Sequence, residues 1–256
     1  MIEDWHSLSP WLLLLAPLAV ALGYTVFGLS GFGSTVISVP ILAHFLPVSY
    51  LVPLMALLDC ACSSIVGGTN REHVSKAELK WLIPVMFGGF AIGATVLVKV
   101  PDEYLRPALG VFAMAIGGYS IANPNVHRRI SRLWVVPVGL VGGAVATVFG
   151  AGGPIYATYL SARLGDKSQV RATTSALISI SAFSRATIYA VSGLLLHAAV
   201  GVGALVLAPF VWAGLALGTR IHVGLSQEQM RRVIGALLVF TGLTLLWRLF
   251  ARLLFP

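Results

Sequence analysis

Apolar residues form long runs along the chain, separated by short polar links. A helix of about 20 apolar residues crosses the hydrocarbon core of a bilayer. Eight runs approach or exceed that length, and two runs, Ser34–Leu46 and Pro154–Ala162, are clearly shorter. The pattern predicts an all-α polytopic membrane protein with 8 full transmembrane helices and 2 short, broken ones, about 10 segments in total. The long runs are Trp11–Leu29, Leu51–Gly68, Trp81–Val98, Leu105–Ala122, Leu133–Phe149, Ala172–Leu196, Ala198–Thr219 and Val233–Leu249.

The composition supports a membrane protein. Hydrophobic residues make up 57% of the 256 residues and charged residues only 10%, whereas a soluble globular chain carries about 25% charged residues. These values exclude an ordinary soluble enzyme, a disordered tail and a fibrous repeat. The net charge of +8 comes from Lys and Arg residues that lie mostly in the links between apolar runs. Such residues orient a protein in the lipid bilayer, so we expect no nucleic-acid partner.

Catalytic and metal-binding signatures are missing from the sequence. It contains no GxSxG, HExxH or Walker-type phosphate-binding motif. Its two cysteines, Cys60 and Cys62, lie one residue apart in an apolar run and form no metal-ligand cluster. We therefore expect no enzyme activity, no cofactor and no metal, and an ion gradient or the gradient of the substrate itself as the energy source for any transport.

The chain has a weak internal duplication. At an offset of 125 residues, prolines, glycines and a Glu/Arg pair recur, although chance matching in a Gly- and Ala-rich sequence is the alternative. We predict two homologous transmembrane repeats, residues 1–125 and 126–256. Five crossings per repeat would give inverted topology, as in many secondary transporters, whereas four would give parallel repeats. The matches include Pro84 with Pro209, Gly89 with Gly214, Glu103 with Glu228, Arg106 with Arg231, Gly110 with Gly235 and Gly117 with Gly242.

Each repeat contains a glycine-rich interruption before its short segment. Glycine tolerates positive φ and proline suits the first turn of a helix, so these stretches predict broken helices. Their free N–H groups and the positive N-terminus of the next helix suit an anion; close helix packing is the alternative explanation for the glycines. The candidate substrate-binding residues of the first break are Gly28, Ser30, Gly31, Gly33, Ser34 and Thr35. Those of the second break are Gly150, Gly152, Gly153, Pro154 and Tyr156.

Two charged residues lie well inside predicted transmembrane helices. Asp59 and Arg185 fall at corresponding places in the two repeats. An ionised side chain at membrane depth costs roughly 3 kcal/mol or more, so both should face the protein interior. A structural ion pair between the repeats is one interpretation. In the other, the Arg185 guanidinium anchors an anionic substrate and Asp59 couples transport to an ion.

The whole chain resembles the TauE/SafE family of sulfite and organosulfonate exporters, also called the toluene-sulfonate uptake permease family. The resemblance rests on the two-repeat layout and on three segments: FGLSGFGS from Phe27 to Ser34, FGAGGP from Phe149 to Pro154, and RATTS from Arg171 to Ser175. It implies an integral protein of the bacterial plasma (inner) membrane.

The predicted function is a secondary transporter of small anions, and the resemblance implies an exporter of sulfite or organosulfonates such as sulfoacetate-type compounds. Alternating access would place the site between the two glycine-rich breaks. A proton or a sodium ion is the expected coupling ion, and a homodimer is left open. The alternatives are a membrane-embedded channel, or an assembly factor or membrane enzyme acting on a different small organic anion.

Overall fold

In the computed structural model, each of the ten predicted segments coincides with one α-helix. The structure describes residues 10–30, 33–66, 71–122, 130–196, 198–220 and 227–254. Short 3-10 turns at Arg71–His73 and Arg132–Trp134 precede α4 and α6. The helices are α1 Pro10–Ser30, α2 Ser34–Leu42, α3 Val48–Val66, α4 Lys76–Lys99, α5 Asp102–Ala122, α6 Val135–Phe149, α7 Gly153–Arg163, α8 Lys167–Val191, α9 Ala198–Arg220 and α10 Gln227–Leu254.

Helix α8 is shifted toward the N-terminus by five residues at both ends of its predicted run. It begins five residues earlier because the Asp166 carboxylate accepts hydrogen bonds from the backbone N–H groups of Ser168 and Gln169 and so caps the helix. It ends at Val191, and the apolar residues that follow form a turn in which Gly193 has a φ of 81°. Hydropathy alone could not locate either end, since neither depends on the apolar run.

The helices differ in how they meet the membrane. Five of those described, α1, α4, α5, α9 and α6 with its leading turn, are long and apolar enough to cross a bilayer. Large apolar side chains are exposed on the outer helices, among them Trp11, Trp81, Val136, Trp212 and Trp247. By contrast, nearly all of α2 and the 51–56 stretch of α3 are buried within the protein. The interior of the bundle therefore consists of the short helices α2 and α7, of α3 and of much of α8. The outer surface of the bundle is compatible with lipid.

Close glycine contacts hold the outer helices together in pairs. Helix α4 packs on α6, α1 packs on α9, and α5 packs on α10. A Cβ atom at Gly117 would lie 2.6 Å from the Gly235 carbonyl oxygen, and one at Gly235 would lie 2.7 Å from that of Gly117. Gly110 and Gly242 make the same kind of contact, at 3.1 and 2.6 Å. Small residues let membrane helices approach this closely and gain van der Waals contact.

Both predicted breaks are present, and they meet. Gly33 has a φ of 106° before α2, and Gly150 has a φ of 71° after α6. Glycine adopts these left-handed conformations without steric strain, which explains why α2 begins directly after Gly33 and α6 ends directly before Gly150. A Cβ atom at Gly150 would collide with the Thr35 side chain in the first turn of α2. The folded chain thus brings the two interruptions into contact.

Candidate functional site

A small cavity lies between the two breaks. Residues 33–36 of the first break and Gly150, Gly152 and Gly153 of the second line it, together with side chains from α3, α7 and α8. Its volume of about 20 Å³ is enough for one water molecule. A guest larger than water therefore fits only after the groups around the cavity move apart.

Asp59 supplies the negative charge of the cavity. It lies on α3 and is only 3% exposed. Its Oδ1 accepts hydrogen bonds from Tyr24 Oη at 2.8 Å and from Ser34 Oγ at 2.9 Å, and its Oδ2 accepts one from Thr35 Oγ1 at 2.9 Å. Because a buried carboxylate is stable only when its oxygens are paired, these three hydroxyl groups fix it in place.

Arg185 supplies the positive charge, and it is 2% exposed. Its Nη2 lies 3.3 Å from Asp59 Oδ2, and its Nη1 donates to the Ala146 carbonyl oxygen at 3.0 Å. The Nε of the same guanidinium is buried and has no hydrogen-bond partner among the described residues. The ion pair joins α3 to α8 through the centre of the protein and leaves one donor of the arginine unused.

Tyr156 adds a second unused donor. It lies in the first turns of α7, is fully buried, and lines the cavity. Its hydroxyl group has no partner in the part of the chain that the structure describes. Since most buried polar groups in proteins are hydrogen-bonded, two unpaired donors at one cavity indicate a place for a guest that accepts hydrogen bonds.

The structure assembles most of the predicted site residues. The cavity is lined by Gly33, Ser34, Thr35, Asp59, Gly150, Gly152, Gly153, Tyr156 and Arg185. Gly28 instead packs against Gly218 of α9, where a Cβ atom would lie 3.1 Å from the backbone of that glycine. Pro154 occupies the first turn of α7 without lining the cavity. Gly31 and the side chain of Ser30 lie outside the described residues.

Sequence reasoning missed two polar groups of the site. Tyr24 donates to Asp59 but lies in a long apolar run, where nothing marks it as different from a packing residue. Ser181 lines the cavity one helical turn before Arg185. Residues four apart share a helix face, so this spacing could have revealed Ser181 once Arg185 was singled out. Among the described residues, no group of three or more His, Cys, Asp or Glu side chains could hold a metal ion.

Comparisons with known proteins cover most of the chain. The model of the family described as sulfite exporter TauE/SafE matches residues 15–245, a range that includes both breaks and the cavity. The chain is also 26% identical over 200 residues to the probable inner membrane transporter protein TsaS of Comamonas testosteroni, covering 76% of this chain and 83% of that relative. No solved structure matches the chain.

Proposed function

Because this chain belongs to the sulfite exporter TauE/SafE family, we propose that it is a secondary transporter that exports sulfite or organosulfonates such as sulfoacetate-type compounds. The relative TsaS is named a probable inner membrane transporter, and we place this protein in the bacterial inner membrane as well. The observation that carries the proposal is the buried Arg185 guanidinium at a small cavity between two broken helices. A guanidinium binds an oxyanion through charge and through directed N–H groups together.

Charge balance supports Asp59 as the coupling residue. The Asp59–Arg185 pair is neutral as a unit, and its two side chains are each 3% exposed. A monoanionic guest beside this pair would leave one net negative charge in a dry cavity, which is costly. A proton or a sodium ion that enters with the anion removes this cost, and Asp59 is the carboxylate among the cavity residues that can receive it.

The glycine contacts support inverted repeats and alternating access. Gly110 of α5 contacts Gly242 of α10, and Gly117 contacts Gly235. At the 125-residue offset, Gly235 is the counterpart of Gly110 and Gly242 is the counterpart of Gly117. Each glycine of α5 therefore contacts the counterpart of the other. A two-fold relation between repeats at residues 1–125 and 126–256 produces this reciprocal pattern. Rocking of one repeat against the other would widen the cavity first toward one side of the membrane and then toward the other.

The cavity volume favours a transporter over the alternative of a channel. A channel conducts through a continuous opening, whereas the described residues enclose room for about one water molecule. A site this narrow is expected in a protein that must change conformation to pass its substrate, as alternating access requires.

The direct test is flux through purified protein in proteoliposomes. Vesicles are loaded with sulfite or sulfoacetate, and release is followed with no gradient, a proton gradient or a sodium gradient. We expect release faster than from protein-free vesicles and acceleration by one of the two gradients. Release no faster than from protein-free vesicles for both anions would show that the proposed substrate class is wrong.

A further inference from the structure

The two breaks are chemically unequal. At the start of α2, the hydroxyl groups of Ser34 and Thr35 both donate to Asp59, at 2.9 Å each. The N-terminus of a helix carries a partial positive charge that favours an anion, and here the Asp59 carboxylate already lies against it. A resident side chain therefore occupies the anion-binding end of the first break.

At the start of α7, no carboxylate side chain among the described cavity residues takes the corresponding place. The charged side chain that α8 brings to the cavity is a cation, Arg185, rather than a second carboxylate. Tyr156 Oη and Arg185 Nε are the two donors at this cavity without a partner, in side chains that are 0% and 2% exposed. At the start of α7, Pro154 has no N–H group, and the N–H groups of Ile155 and Tyr156 donate to the Gly152 carbonyl oxygen, so the backbone donor left in this turn is the N–H of Gly153.

We infer that the α7 end of the cavity is the subsite for the sulfite or sulfonate headgroup, with Tyr156 Oη and Arg185 Nε as its side-chain donors. Asp59 keeps the α2 end closed to the substrate. This assignment rests on the proposed function and divides the site into a substrate end and a coupling end. An SO₃ group presents three oxygens, which can accept from the two side-chain donors and from the N–H of Gly153.

The fold holds Tyr156 in position for this role. A Cβ atom at Gly142 of α6 would lie 3.0 Å from Tyr156 Cζ, and one at Gly152 would lie 3.0 Å from Cε2. Both glycines therefore leave room that the tyrosine ring fills, and a side chain at either position would displace the ring. The ring is clamped between α6 and the second break, so its hydroxyl is held in place before a substrate arrives.

The test compares two tyrosine-to-phenylalanine variants on the same helix. Sulfite and methanesulfonate are titrated into purified wild type, Tyr156→Phe and Tyr159→Phe, and both the Kd and the apparent Tm without anion are measured. Tyr159 donates to Glu78 at 2.9 Å and does not line the cavity. We expect Tyr156→Phe to weaken anion binding about tenfold, as the loss of one hydrogen bond to a charged group does, without lowering the Tm, because its hydroxyl has no partner to lose.

The control variant should show the reverse. Tyr159→Phe is expected to lower the Tm and to leave the Kd unchanged. Wild-type affinity in Tyr156→Phe would overturn the subsite assignment while leaving the proposed function intact. Equal weakening in both variants would also overturn it, because the loss would then not be specific to the cavity. If wild type binds neither anion, the proposed function itself fails, and the subsite fails with it.

Discussion

Two buried carboxylates, Asp59 and Glu78, have similar hydrogen-bond partners. They differ in whether the side chains around them have buried donors without a partner. Each is 3% exposed, and each accepts from a tyrosine hydroxyl and an arginine. Glu78 Oε1 accepts from Arg163 Nη2 at 2.9 Å and lies 3.5 Å from Arg132 Nη2, while its Oε2 accepts from Tyr159 at 2.9 Å. Neither Glu78 nor Tyr159 nor Arg163 has a buried side-chain atom without a partner in the described chain.

The surroundings explain the different roles. The Arg163 and Arg132 side chains are 22% and 51% exposed, so water can solvate them, and Glu78 does not line the cavity. Arg185 is 3% exposed as a side chain and depends on the protein for its partners. We conclude that the fully paired Glu78 cluster ties α4 to α7 and to the turn before α6. Unpaired donors on residues that line the cavity, rather than buried charge alone, distinguish the proposed functional cluster. Ser63, Arg106 and Thr174 also have a buried atom without a partner among the described residues, but they do not line the cavity.

The largest expected effect comes from Arg185→Ala. This change leaves the Asp59 carboxylate buried without its counter-charge, and breaking a buried ion pair costs about 3–5 kcal/mol of unfolding free energy. It also removes the proposed anion anchor, so we expect proteoliposome flux to fall to the level of protein-free vesicles while the protein still inserts into the membrane. Flux at the wild-type rate would show that Arg185 does not bind the transported anion.

A neutral double variant separates stability from function. Asp59→Asn combined with Arg185→Gln removes both charges at once, so no ion remains buried without a partner. We expect it to recover most of the lost thermal stability and none of the flux. Recovery of flux would show that the pair serves the fold in the same way as the Glu78 cluster.

Filling the cavity without changing any charge should have the next largest effect. Gly153→Leu places a branched side chain in a space of about 20 Å³, so we expect flux to be lost although Asp59 and Arg185 are intact. Gly165→Leu is the matched control, because a Cβ atom at this exposed glycine beyond the end of α7 meets no atom within 4 Å. Normal flux in Gly153→Leu, measured in the same vesicles, would show that this glycine serves only helix packing.

Glu78→Gln tests the other side of the comparison. The amide cannot balance the two arginines, but their exposure lets water do so in part, so we expect a loss of about 1.5 kcal/mol, the lower end for a charged hydrogen bond. Flux per folded protein should be unchanged. A loss of flux in a protein that remains folded would give the Glu78 cluster a part in transport and would break the contrast with Asp59.

The sequence allowed the helices to be predicted better than the contacts between them. The lengths of the apolar runs predict the number of segments. The glycine-rich stretches predict where the helices of the two repeats are broken. The pairing of Asp59 with Arg185 could be foreseen because a charge is costly at membrane depth. The Glu78 cluster could not, since charged residues near helix ends are typical of solvated links, and Tyr24 is hidden in an apolar run. Gly28 illustrates the converse error, because a glycine in a break motif also serves helix packing.

The last pair of variants, which includes the smallest expected effect, that of Gly118→Ala, sets the background against which both carboxylates are compared. Helices α5 and α10 carry neither carboxylate nor any of its hydrogen-bond partners. In α5, a Cβ atom at Gly117 would lie 2.6 Å from the Gly235 carbonyl oxygen, whereas one at the neighbouring Gly118 meets no atom within 4 Å. We expect Gly117→Ala to force the helices apart and to lower the unfolding free energy by about 1–3 kcal/mol, and Gly118→Ala to raise it by about 0.5–1 kcal/mol. Thermal unfolding in one detergent measures both, and equal shifts for the two variants would contradict the close contact of α5 with α10 that supports the two-fold relation of the repeats.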